Sequence, residues 1–325
     1  MADIVGFGGY VPERVMTNDD WAELLDTTDE WIVTRTGIKE RRFAADDEST
    51  LDLAAAASEI AIADAGLAPA NIGEIILATD TPEVYTPDTS SLLQHRLGCR
   101  EISTFDLGGS GCAGFVQAVD VARARIAFDP KNILVVGVEL ISRLMSWDDR
   151  SICVLFGDAA GAIVMAPDGG KARVLDVVTG TDGSKAPILT LETGGTRRPF
   201  NEESLAAGDH QRLVMHGGEV FKEAVRRMSA AVAEVLGRID ATVEDVALVI
   251  PHQANKRIID AVGKKLGLEP DQVFINVDRY GNTGSATVPL ALWEAVSEGR
   301  VARGDLVVLT AFGAGFHWAA AAVQF

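Results

Sequence analysis

"HRLGCREISTFDLGGSGCAG" (His95 to Gly114) and "KKLGLEPDQVFINVDRYGNTGSA" (Lys264 to Ala286) follow one plan at a spacing of about 170 residues. In each, a helix-like segment ends on Leu-Gly, a strand-like apolar run follows, and a Gly-rich turn opens a further helical stretch. Leu97-Gly98 pairs with Leu266-Gly267, Phe105-Asp106 with Ile275-Asn276, Gly111-Cys112 with Gly281-Asn282, and Gly114 with Gly284. Each copy then runs into a buried-type strand, "NILVVGVEL" (Asn132 to Leu140) in the first and "DLVVLTAF" (Asp305 to Phe312) in the second. One duplicated unit explains this order. If the copies pack about a pseudo-two-fold axis, Cys112 and Asn282 occupy equivalent turns and can converge on one site.

Further out, "EIILATD" (Glu74 to Asp80) and "VALVIP" (Val246 to Pro251) also read as buried strands. "STLDLAAAASEIAIADAG" and "GEVFKEAVRRMSAAVAEVLGRI" have helical spacing. The alternation predicts an α/β architecture with largely buried sheets. Thr179 to Gln211, rich in Gly, Thr and Pro, reads as an extended loop or hairpin insertion. A chain of 325 residues, 47% hydrophobic, can fill one large core or two of ordinary size.

A formal net charge of −18 argues against a nucleic-acid binder, which needs a basic face. No apolar run approaches the ~18 residues of a membrane span. The N-terminus carries an acid where a secretory signal would carry basic residues. Cys99, Cys112 and Cys153 are odd in number and widely spaced, so neither a disulfide framework nor a metal site is expected, and a reducing cytoplasm fits.

Cys112 sits at a strand-to-helix turn, where unpaired backbone N–H groups and the helix dipole favour the nucleophilic thiolate. The alternative is a small core cysteine, which is the reading adopted for Cys99 and Cys153. His252, in "VIPHQAN", lies just beyond a strand, where α/β enzymes carry chemistry. Asn282, in "YGNTGSA", could equally be a turn or cap residue. Cys, His and Asn together at strand ends of a duplicated frame favour a catalytic set. His317, beside "AFGAGF", is the one rival histidine. That last turn offers backbone N–H groups suited to an oxyanion hole.

"DEWIVTRTGIKERR" (Asp29 to Arg42), "GCAGF", "PHQAN", "YGNT" and "AFGAGFHW", in this order, resemble the β-ketoacyl-[acyl carrier protein] synthase III family. The resemblance implies a thiolase-like α/β fold. Two pseudo-symmetric halves, residues 1–170 with the cysteine and 171–325 with the histidine and asparagine, would form five layers, α-β-α-β-α, in a cytoplasmic homodimer. It implies an acyltransferase that starts type II fatty-acid synthesis with acyl-CoA and malonyl-acyl carrier protein as substrates, and no cofactor. Cys112 would take the acyl group as a thioester, while His252 and Asn282 stabilise the enolate left by decarboxylation. The N–H groups of Cys112 and Ala314 would hold the tetrahedral oxyanion. Trp31 and Arg150 would sandwich the adenine of CoA, with Thr27 and Arg35 at the nucleotide end. Lys222, Lys256, Arg257, Lys264 and Lys265 would receive the acidic carrier protein, with Arg226 extending the patch.

Several positions depart from the commonest family pattern. Ala314 replaces a glycine and Gly218 an asparagine that touches the CoA arm, while Thr86 stands where some members put a phenylalanine that reaches into the partner subunit's acyl pocket. With no cysteine after Cys153 and asparagine at position 282, the thiolase and elongating-synthase branches fit less well. A secondary-metabolite starter synthase or acyltransferase of the same Cys-His-Asn branch remains an alternative. A non-catalytic partner subunit and a cysteine hydrolase fit less well, since the nucleophile and the CoA-type motifs are both present.

Overall fold

The computed structural model describes residues 2–325. Nine strands form its main sheet: β1 (Ala2–Tyr10), β2 (Ile72–Ala78), β3 (Ser103–Leu107), β4 (Asn132–Leu140), β5 (Asp158–Ala166), β6 (Ala172–Thr181), β7 (Val246–Pro251), β8 (Leu306–Gly313) and β9 (His317–Gln324). Seven helices pack on them or flank the site: α1 (Asp29–Thr36), α2 (Thr50–Asp64), α3 (Thr89–Leu97), α4 (Gly114–Phe128), α5 (Gly217–Arg238), α6 (Lys256–Leu266) and α7 (Thr287–Ser297).

The strand order is β7-β8-β9-β6-β1-β5-β4-β2-β3. It divides into two equivalent sets. In one, β2 and β4 run parallel while β5 and β1 follow antiparallel. In the other, β7 and β8 run parallel while β9 and β6 follow antiparallel. The sets meet where Ala2–Ile4 of β1 pairs with Ala172–Val174 of β6. On this repeat we propose that the halves divide between β5 and β6, near residue 170.

Layering follows from which faces are apolar. Helices α4 and α7 share one core with strands of both sets, so they form the middle layer. Helices α2 and α3 cover the outer face of the first set, and α5 that of the second, where α6 packs against it. The result is the five-layered, thiolase-like α/β arrangement. Strands covered on both faces are almost continuously apolar, as in β4, where only Asn132 is not buried.

β1 lies so close to α2 that a side chain has no room. A Cβ on Gly8 would stand 2.2 Å from the Ala57 carbonyl oxygen and 2.6 Å from the Ala61 nitrogen. Gly8→Ala must push the helix off the sheet. It is expected to cost about 3 kcal/mol, read as a lower denaturant midpoint at unchanged slope; an unchanged midpoint would contradict so tight a helix–sheet contact.

Two expectations need adjusting. The region from Thr179 to Gln211 is an insertion whose short strand, Leu189–Leu191, pairs with Leu213–Met215 as a separate hairpin. The strand expected at Ile275-Asn276 is reduced to one bridge, Val249 to Val273. The buried Gln253 side chain is the reason. It donates to the carbonyls of Pro251 and Phe274 and accepts from the N–H groups of Asn276 and Val277, replacing ladder bonds.

Candidate active site

Cys112 lies in the single turn Gly111–Ala113 that leads into α4. Asn282 lies just before the equivalent turn Gly284–Ala286 that leads into α7. His252 follows β7, its N–H bonded to the Thr310 carbonyl at 2.7 Å. All three side chains line one cavity of about 380 Å³. Trp31, Arg35 and Arg150 line the same cavity, which is walled by apolar residues such as Leu189, Met215 and Phe312.

Asn282 is fixed through backbone and side chain. Its N–H donates to the Leu155 carbonyl at 2.8 Å, and its carbonyl accepts from Gly157 at 3.1 Å. Its Oδ1 accepts from the Gly284 N–H at 2.9 Å. That bond settles the amide's orientation, so Nδ2 is the group left to donate. His252 is only 3% exposed, and burial depresses its pKa to about 3. The ring is therefore neutral, with one N–H to offer.

Cys112 departs from the expected thiolate. Burial first, then the Asp80 and Glu139 carboxylates, push its thiol well above the usual range, against the favourable hydrogen bond with Asn282. The resting group is a thiol that must lose its proton as it attacks. Glu139 itself is pushed up to about 8 by burial and by Asp80. It accepts from the Thr81 hydroxyl at 2.6 Å, the Asp80 N–H at 3.1 Å and the Ser285 hydroxyl at 3.0 Å. These bonds tie the first half to the turn that follows Asn282. A glutamate closing an otherwise apolar strand is the sequence signal that finds it, because a buried carboxyl needs partners.

The cysteine turn and the 313–315 turn interlock. A Cβ on Gly111 would stand 2.5 Å from the Ala314 nitrogen, and one on Gly313 2.3 Å from the Cys112 nitrogen. The two N–H groups expected to form an oxyanion hole thus sit on adjacent, close-packed turns. Ala314 fits here without strain, since Asp240 is the only non-glycine with positive φ among the described residues.

At the other end of the cavity, two guanidinium groups stack on Trp31, with the Arg35 and Arg150 carbons 4.4 and 5.1 Å from its ring centre. Arg150 also donates to the Asp26 carbonyl. Thr27 is not among the lining residues; its hydroxyl is buried without a partner beside this cluster. Gly218 is exposed at the start of α5 and makes no part of the wall.

Among the basic residues, Arg257 lines the cavity, whereas Lys256 is held by Asp260 at 2.7 Å. Lys264 and Lys265 are exposed at the end of α6, and Lys222 on the neighbouring α5, where Arg226 pairs with Glu223. His317 is not in the site: its Nδ1 meets the Thr181 hydroxyl at 2.8 Å, and it does not line the cavity. Cys99 and Cys153 are buried, and burial raises both thiols, that of Cys153 to about 12. No group of metal-ligating side chains occurs among the described residues, and no helix there is long and apolar enough to cross a membrane.

Two family models match the chain. The 3-oxoacyl-[acyl-carrier-protein] synthase III model covers residues 105–183, and the model for the C terminal of the same synthase covers 220–325. β-Ketoacyl-[acyl-carrier-protein] synthase III of Symbiobacterium thermophilum is 48% identical over 99% of this chain and 97% of its own length. The 3-oxoacyl-[acyl-carrier-protein] synthase III structure from Aquifex aeolicus superposes with a TM-score of 0.92 at 41% identity, covering all of both chains. A priming β-ketosynthase from the R1128 polyketide pathway superposes with a TM-score of 0.90 at 35% identity, over all of this chain and 96% of the other. With both halves of the fold, the interlocked turns and these matches in agreement, the chain belongs to the 3-oxoacyl-[acyl-carrier-protein] synthase III family of condensing enzymes.

Proposed function

We propose that the protein primes type II fatty-acid synthesis in the cytoplasm by condensing an acyl-CoA with malonyl-acyl carrier protein. One observation carries this reading: a single cavity joins the Trp31–Arg150 cluster to Cys112, His252 and Asn282. A nucleotide-terminated thioester has aromatic and cationic groups to grip at one end and a thiol at the other.

The Cys112 sulfur attacks the acyl-CoA carbonyl, and its proton leaves with CoA as the C–S bond breaks. The malonyl thioester then enters with its carbonyl against His252 and Asn282, whose N–H groups stabilise the enolate formed as carbon dioxide departs. The enolate carbon attacks the acyl thioester, and the N–H groups of Cys112 and Ala314 hold the oxyanion. Collapse releases the β-ketoacyl chain on its carrier and expels the Cys112 thiolate, which takes a proton from solvent to return the thiol. Loss of carbon dioxide drives the sequence, so it needs no redox cofactor or metal.

For CoA, Arg150 must separate from Trp31 to admit adenine between them. Trp31→Ala is expected to raise KM for acyl-CoA roughly tenfold with little change in kcat. Steady-state kinetics at saturating malonyl-acyl carrier protein check this, and an unchanged KM would move the nucleotide elsewhere. Arg257, Lys264, Lys265 and Lys222 support docking of an acidic carrier beside the cavity. The edge position of the half-buried strand β3 supports a homodimer, since an unpaired edge invites a second strand.

The relatives of Symbiobacterium thermophilum and Roseiflexus castenholzii, 48% and 45% identical, are both named β-ketoacyl-[acyl-carrier-protein] synthase III, which supports fatty-acid over secondary-metabolite priming. The test is intact-protein mass after mixing with acyl-CoAs of increasing length, then with malonyl-acyl carrier protein. An adduct on Cys112 that disappears as β-ketoacyl product forms is expected. An adduct that moves to an alcohol or a second acyl chain would replace this reading with the acyltransferase one.

A further inference from the structure

The buried ring of His252 meets one side-chain partner, Thr287, at the first position of α7. The Thr287 oxygen lies 2.6 Å from His252 Nδ1 and 3.0 Å from the Gly284 carbonyl oxygen. Thr287 is 1% exposed, so water does not compete for this hydroxyl. Its one proton can go to either neighbour. The Gly284 carbonyl already accepts the Thr287 backbone N–H. That carbonyl is satisfied without the hydroxyl, which leaves the hydroxyl's one proton free for Nδ1.

We propose that Thr287 is a positioning residue: its hydroxyl donates to Nδ1 of His252 and thereby holds the ring as the tautomer protonated on Nε2. A neutral imidazole with an acceptor at Nδ1 must carry its hydrogen on Nε2, the nitrogen left for the cavity. That hydrogen is what an enolate oxygen requires, and it stands beside the Asn282 amide in the same wall. Thr287 also spans the two parts of the site. Its backbone N–H donates to the Gly284 carbonyl, and the Gly284 N–H in turn holds Asn282 Oδ1. The inference rests on the reading of His252 as an oxyanion donor.

The test combines nitrogen NMR of histidine-labelled protein with separate rates for the two half-reactions. In the unaltered protein, His252 is expected to show a bare Nδ1 and a protonated Nε2. Thr287→Val keeps the shape and removes the hydroxyl. It should shift the proton toward Nδ1 and lower kcat for condensation by roughly tenfold to a hundredfold. The KM for malonyl-acyl carrier protein and the acylation of Cys112 should stay within about twofold of the original. Thr287→Ser should restore both the spectrum and the rate. A proton on Nδ1 in the unaltered protein overturns the proposal, as does a folded valine variant with unchanged spectrum and kcat. If the valine variant does not fold, the unaltered protein's spectrum decides. His252→Ala run alongside keeps the two ideas apart: full condensation activity there would remove the donor role of His252 itself.

Discussion

Cys112→Ala is expected to take up no acyl group from any acyl-CoA and to condense on the order of 10⁴-fold more slowly than the unaltered protein. The size follows from position. No other thiol can substitute, because Cys99 and Cys153 are buried with raised pKa values and neither lines the cavity. The alanine should fit the turn, since it removes one atom from a side chain that is only partly buried. Loss of activity with an unchanged denaturant midpoint is therefore the expected pair of results. His252 and Asn282 remain in place, so slow release of carbon dioxide from malonyl-acyl carrier protein should persist without a coupled product. Mass spectrometry for the adduct and a carbon dioxide assay read the two outcomes. An acyl adduct on the alanine protein would place the nucleophile elsewhere. Normal function in a complex would support a scaffold role.

The candidate set is only partly legible in the duplication. Cys112 and Asn282 fall near matching turns of the two copies, but those turns align Gly111 with Gly284 and so Cys112 with Ser285; Asn282 stands three residues earlier and still lines the same cavity. The supporting residues are less legible. Thr287 at a helix start looks like any residue of a capping turn, and its role depends on His252, 35 residues away. Gln253 looks like an ordinary loop residue, yet its amide takes over strand hydrogen bonds and erases the second copy of β3. The Ala-rich β9 favours helix by propensity. It forms a strand because small side chains suit its position between two strands, with both faces covered by helices. The thiolate expected at Cys112 fails because the fold buries the thiol and sets the carboxyl groups of Asp80 and Glu139, from other strand ends, beside it; nothing near it in sequence reveals either.

Asn282→Asp should lower condensation by at least ~10²–10³-fold while leaving acylation of Cys112 measurable. The substitution is nearly isosteric. Oδ1 can still accept the Gly284 N–H, and the backbone bonds to Leu155 and Gly157 do not involve the side chain. What changes is the atom at Nδ2, where a donor becomes a second carboxylate oxygen. Such an oxygen repels the enolate that the amide would stabilise, so the loss should exceed that from Asn282→Ala, which only removes the donor. It also sets a third carboxylate near Asp80 and Glu139, which already raise the Cys112 thiol. Acylation should slow as well, but by less than condensation, because the acyl-CoA step forms no enolate. Single-turnover rates for each half-reaction measure the order directly. Were the aspartate variant to lose acylation and condensation in equal measure, Asn282 would serve the thiol rather than the malonyl carbonyl.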